Sequence, residues 1–235
     1  MVRESPPRRA GQDWGSFDRR EHNLGERLGA SSDLQLSEQG TNLIYTIVGG
    51  LLIGTALAFV TIDGGPLYQN EVVPLYALFL QFNKAVLAGW IWQLVTSIII
   101  APPTPSGILD VSFNGIALVW LDGLLSYTYS KRQYYAVFLA TGIAGNIFSL
   151  ANGPKIVSFG ASGGIFGLLA GVISFDLVTN RRVNPGLMLW FAAIFVVSSF
   201  ALTYVDWVAH AGGAVFGLAL GYMIGMRRGA DPATL

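Results

Sequence analysis

Ser162 and His210 are the two side chains whose type and setting point to chemistry. Ser162 stands in FGASGGIFGLLAG, residues 159–171, among Gly160, Gly163, Gly164, Gly167 and Gly171 at the start of a long apolar run. His210 stands in VDWVAHAGGAVFGLALG, residues 205–221, and is the only histidine in the apolar part of the chain. A hydroxyl and an imidazole, each just inside the start of an apolar helix, make a nucleophile and its general base once the fold brings them together. A plainer reading stands beside this one. Serine in membrane helices usually bonds a carbonyl of the preceding turn or packs at a small-residue interface. An imidazole in a span is rarer, because it is expensive there, and is a functional hypothesis by default.

The composition says which elements must position this pair. Of 235 residues, 52% are hydrophobic and 12% charged, the balance of a membrane protein. The 29 glycines concentrate in the apolar segments, where small residues let helix backbones approach closely. A net charge of zero gives no support for nucleic-acid binding. The absence of cysteine excludes disulfides and thiolate metal sites, and two histidines leave little for a histidine-based site, so neither metal nor cofactor is expected.

Residues 1–41 are polar and mix six arginines with seven acids, without the apolar core of a secretory signal. They read as a cytoplasmic tail with a short interfacial helix around residues 14–28, and His22 as a solvated residue of that tail. Apolar runs follow at residues 43–62, 107–129, 134–150, 159–178, 186–204 and 207–226, each near the ~20 residues that span a bilayer as a helix. Six spans leave 12 of the 14 Lys and Arg on one side and only Lys84 and Lys155 on the other. By the positive-inside rule both termini are then cytoplasmic. Residues 85–101 are also apolar, but a seventh span there would move every later arginine pair outside. Residues 64–106 are therefore expected to form a long outer loop of short interfacial helices, with Trp90 and Trp92 at headgroup level. The domain plan is a polar tail (1–41), a six-helix membrane domain (42–228) and a short cytoplasmic C-terminal tail (229–235).

This parity runs spans two, four and six in the same direction, from outside to inside. Ser162 and His210, each the fourth residue of its span, then lie at one depth, with Asp110 and Asn114 of span two at a similar level. His210 shares a helical face with Gly213, Gly217, Gly221 and Gly225, and span four carries a matching stripe at Gly163, Gly167 and Gly171. The first-turn amides around Ser162 can stabilise an oxyanion, and the Asn114 side chain can add a donor or simply bond across helices. Asp206 reads as the N-cap of span six, leaving a dyad. Asp110 can donate to an oxyanion only as a neutral acid; the alternative, preferred here, is that it turns to the loop and caps span two.

From about Trp92 to Gly225 the chain resembles the rhomboid family of intramembrane serine proteases. The likeness lies in Trp92 with Thr96-Ser97, Asn114, Gly160-Ala161-Ser162-Gly163, and Ala209-His210-Ala211-Gly212-Gly213 with Gly217. It implies an all-α, six-helix membrane bundle that cleaves transmembrane segments of other membrane proteins. Ser162 would be the nucleophile, His210 the base, Asn114 and the Ser162 backbone the oxyanion donors, and Gly160, Gly163, Gly167, Gly213 and Gly217 packing residues. Three positions depart from the family pattern: Asp110 for a histidine, Gln93 for an arginine after the loop tryptophan, and Ser126 for a glutamate. The alternative is a catalytically silent relative that binds transmembrane helices for trafficking or quality control.

Overall fold

A computed structural model describes residues 36–200 and 205–229; the expected interfacial helix at 14–28, His22 and the C-terminal tail lie outside these residues. Eight helices are described: α1 (Glu38–Ala58), α2 (Asn83–Leu87), α3 (Gln93–Thr96), α4 (Pro105–Thr128), α5 (Lys131–Ser149), α6 (Ser162–Thr179), α7 (Pro185–Phe200) and α8 (Trp207–Gly229). Of these, α1, α4, α5, α6 and α8 are long and apolar enough to cross a membrane. The expected fifth span is represented by α7, which has 16 residues. At ~1.5 Å rise per residue these described residues fall short of the ~30 Å hydrocarbon core, and residues 201–204 of the expected span lie outside the described ones. Five helices therefore meet the length criterion among the described residues, where the sequence led us to expect six.

The segment between α1 and α4 contains no helix longer than five residues, so 85–101 does not form a seventh span. Nor is this segment purely helical. Strands β1 (Thr61–Asp63) and β2 (Val72–Pro74) make one antiparallel ladder. A second ladder joins β3 (Gln81–Phe82) to β4 (Val157–Ser158), pairing Gln81 with Ser158 and Phe82 with Val157. An all-α description is thus corrected to a mostly helical fold with two short ladders. The second is consequential, since β4 ends just before Ser162.

Local sequence sets the helix ends. Thr104 accepts from the Gly107 amide and Pro105 occupies the first helical position, so Thr104 caps α4. Ser130 and Gln133 form a reciprocal capping box at α5. At α1, Ser37 accepts from the Gly40 amide at 3.1 Å. Its own amide and hydroxyl both donate to the carboxylate of Asp122 on α4, which is only 2% exposed.

The centre of the bundle is α6, buried on nearly all sides from Gly163 to Val172. A helix apolar all round belongs in a core. Against it runs α8, and the contact is backbone on backbone. A Cβ added at Gly213, Gly217 or Gly221 would fall on the carbonyl of Gly163, Gly167 or Gly171 respectively. Each pair is fifty residues apart in sequence, so the two helices run parallel in a constant register. Among lipid tails, where burying apolar surface gives no net gain, such close packing is a main source of helix association.

Gly217→Leu should therefore force α6 and α8 apart and lower stability by at least ~2 kcal/mol, measured as thermal unfolding of the detergent-solubilised protein. Gly123→Ala, where an added Cβ meets nothing within 4 Å, should change it little or raise it slightly.

Candidate active site

Two helix starts build the site. Ser162 is the first residue of α6, and the chain reaches it through Gly160, whose φ of 115° favours glycine. His210 lies in the first turn of α8. Because the glycine contact fixes the parallel register of these helices, both side chains come to one level. The His210 Nε2 lies 2.8 Å from the Ser162 Oγ. That is hydrogen-bond reach for proton transfer from hydroxyl to imidazole.

The imidazole is 4% exposed and held by aromatic rings. Phe166 of α6 lies 4.6 Å from it, centroid to centroid, and Phe195 of α7 meets it edge-on at 6.3 Å. Asp206 precedes α8 and accepts from the Ala209 amide at 3.3 Å, so it caps the helix. Its carboxylate also accepts from the Ser149 hydroxyl and, at 2.6 Å, from the Asn152 amide. Asp206 thus ties the end of α5 to the start of α8.

On the opposite side stands α4. Asn114 is 6% exposed, and its Nδ2 is enclosed without a hydrogen bond of normal geometry. An unmet buried donor is costly, which gives this amide reason to receive an incoming acceptor. The Ser162 amide belongs to a helix first turn, whose N–H groups have no partner within the helix. Asp110 does not cap α4; Thr104 does. Its carboxyl instead lies flat against Gly160, both oxygens standing where a Cβ of that residue would meet them at 2.6 Å. The loop-facing reading is therefore replaced, for the physical reason that Asp110 sits in the second turn, beyond the reach of the free first-turn amides.

The five packing glycines divide accordingly. Gly163 faces the Ala209 carbonyl and Gly142, Gly167 faces the Thr141 side chain, and Gly213 and Gly217 lie on Gly163 and Gly167. Gly160 is not in a helix and accommodates the Asp110 carboxyl.

A buried amide network escaped the sequence reading. Gln81 donates to Asn83 and to the Asn146 carbonyl, both at 2.8 Å. Asn83 donates to the Ser149 and Gly153 carbonyls, and Asn146 to the Leu94 carbonyl and the Ser97 hydroxyl. Gln93 accepts from the Phe82 amide and donates to the Leu78 carbonyl, so one neutral side chain joins two points of the loop backbone. Ser97 closes the network on the site by accepting, through its carbonyl, the Gly160 amide at 2.8 Å. The available signal was the run of amides inside apolar sequence, each of which needs partners when buried. Asp122, an acid within an apolar run, was legible on the same ground.

Comparison with known proteins bears on the same stretch. The Rhomboid domain family model matches residues 88–227. The chain is 28% identical over 169 residues to Rhomboid protease GluP of Bacillus subtilis, covering 70% of this chain and 32% of that protein. It is 27% identical over 147 residues to Putative rhomboid protease YdcA of the same organism, covering 61% and 70%. RHOMBOID-like protein 6, mitochondrial, of Arabidopsis thaliana is 26% identical over 153 residues, covering 63% and 48%. The matched stretch thus spans about a third of the length of GluP. Since the family match covers more than half of the chain and runs through both helices that carry Ser162 and His210, this protein belongs to the rhomboid family.

Proposed function

We propose that this protein is an intramembrane serine endopeptidase that cleaves transmembrane segments of other membrane proteins with a Ser162–His210 dyad. The observation that carries the reading is the 2.8 Å approach of His210 Nε2 to Ser162 Oγ across two packed helices. In the reaction, Ser162 Oγ attacks the scissile carbonyl carbon while His210 takes its proton. The oxygen of the tetrahedral intermediate is met by the Ser162 amide and Asn114 Nδ2. Collapse breaks the C–N bond, His210 passes the proton to the leaving amine, and water then hydrolyses the acyl-enzyme through the same base.

In this reading the chain is a multi-pass protein of the cell membrane, with six spans and both termini cytoplasmic, α7 serving as a short fifth span. The membrane domain occupies about residues 42–228 between polar tails at 1–41 and 229–235. The loop before α4 lies in the interface. In support, its Leu87, Ile91, Trp92 and Val95 are exposed apolar side chains, and Trp90 stacks on Trp92 at 5.2 Å. The substrate is a transmembrane helix of a second protein, and no cofactor takes part. The alternative, a silent relative that only holds transmembrane helices, draws on the Asp110 carboxyl, since a negative charge near a developing oxyanion opposes it.

Ser162→Ala and His210→Ala should each reduce cleavage of a model transmembrane substrate to background while the folded protein persists. The double variant should be no worse, because nucleophile and base act as a unit. Asn114→Ala should lower the rate on the order of 100-fold, the scale of one lost oxyanion donor. Continued cleavage by Ser162→Ala would reduce the serine to a packing residue.

Topology is testable because the chain has no cysteine. In intact cells, a single cysteine replacing Lys155 should react with an impermeant thiol reagent, and one replacing Arg132 should be protected. The reverse pattern would overturn the orientation.

A further inference from the structure

We propose that Asp110 makes the site selective for a substrate segment carrying a basic side chain beside the scissile bond; the proposal rests on the protease reading. Three observations meet here. The Asp110 carboxyl lies against Gly160, two residues before the nucleophile, in a space that only the missing glycine side chain leaves open. One turn along α4, the enclosed Asn114 Nδ2 adjoins the same carboxyl but makes no hydrogen bond of normal geometry. Among the described residues, no Lys or Arg forms an ion pair with Asp110.

An acid with no cationic partner, next to the place where an acyl oxygen becomes negative, works against the reaction as the charge develops. A substrate ammonium or guanidinium reaching the carboxyl removes that opposition and gains an ion pair in a partly water-excluded place. The cation comes with the substrate, so the benefit goes only to the substrate that carries it. Lys and Arg are suited to this position, because their long stems let the charge reach polar surroundings from within a membrane helix end. A substrate with an apolar residue there leaves Asp110 unpaired, and one with an acid adds repulsion. Specificity then arises as much from what the site rejects as from what it binds.

The test uses the full chain in lipid vesicles with transmembrane substrates that differ only at the residues flanking the cleavage position mapped by mass spectrometry. Lys, Ala and Glu are placed there in turn, and kcat/KM is measured for the wild type and Asp110→Asn. The wild type should prefer Lys over Ala on the order of 10- to 100-fold and Glu least. In Asp110→Asn that ratio should collapse toward unity. Labelling of Ser162 by a fluorophosphonate in both proteins reports an intact site apart from any preference. Labelling with cleavage but no Lys preference, or the same preference in both proteins, overturns the role of Asp110 and leaves the protease reading standing. A wild-type rate on the Lys substrate that falls with rising pH, absent in Asp110→Asn, also overturns it, because Asp110 would then serve as a neutral donor to the oxyanion and not as the partner of the substrate cation. Failure of Ser162 to label, with no substrate cleaved, sinks both readings.

Discussion

The contact between α6 and α8 is the constraint on which the rest of the structure depends. At Gly213, Gly217 and Gly221 there is no room for a single methyl group, because each faces the carbonyl of an α6 glycine, Gly163, Gly167 or Gly171. A larger residue at any of these places changes the distance between the helices or their register. Ser162 and His210 stand one residue and three residues before the first glycine pair, so an error there shifts their 2.8 Å approach directly. Proton transfer needs heavy atoms within about 3 Å, and a shift of 1 Å is enough to lose it. The glycines therefore set the spacing of Ser162 and His210.

A second set of interactions holds the approach to Ser162. The β3–β4 ladder and the amides of Gln81, Asn83, Gln93 and Asn146 bind the loop before α4 to the residues just ahead of α6. These groups are neutral, which suits a place where ions are expensive to bury. Each hydrogen bond contributes modestly, but an unmade one in such surroundings is costly, so the network fixes one conformation. At the far end of α4, Asp122 does comparable work by receiving the start of α1. Between Asp110 and Asp122, that helix carries both the carboxyl that lies against Gly160 and the one that receives the start of α1.

Much of this was legible in the sequence, and the rest failed for physical reasons. Period and spacing put Gly163, Gly167 and Gly171 on one face and His210 with Gly213, Gly217 and Gly221 on another, and those faces meet. Asp206 was readable as a helix cap from its place before an apolar run. The direction of Asp110 was not, because a helical wheel is silent about what a neighbouring loop presents, and the partner here is a glycine outside any helix. The ladder at Gln81–Phe82 joins residues over seventy positions apart, a pairing that no local pattern announces. Asp122 was legible as an acid within an apolar run, whereas its partner Ser37, 85 residues away, was not, and Ser126 bonds the Gly123 carbonyl of its own helix. The run at 186–204 was apolar enough for a span, and the structure describes it as helix α7 through Phe200.

The central claim, that helix register places His210 to activate Ser162, is tested most directly by covalent labelling in native membranes. A fluorophosphonate should form one adduct, located on Ser162 by mass spectrometry, and its rate should fall by at least about 100-fold in His210→Ala. An unmodified Ser162, or a rate indifferent to His210, would contradict the account.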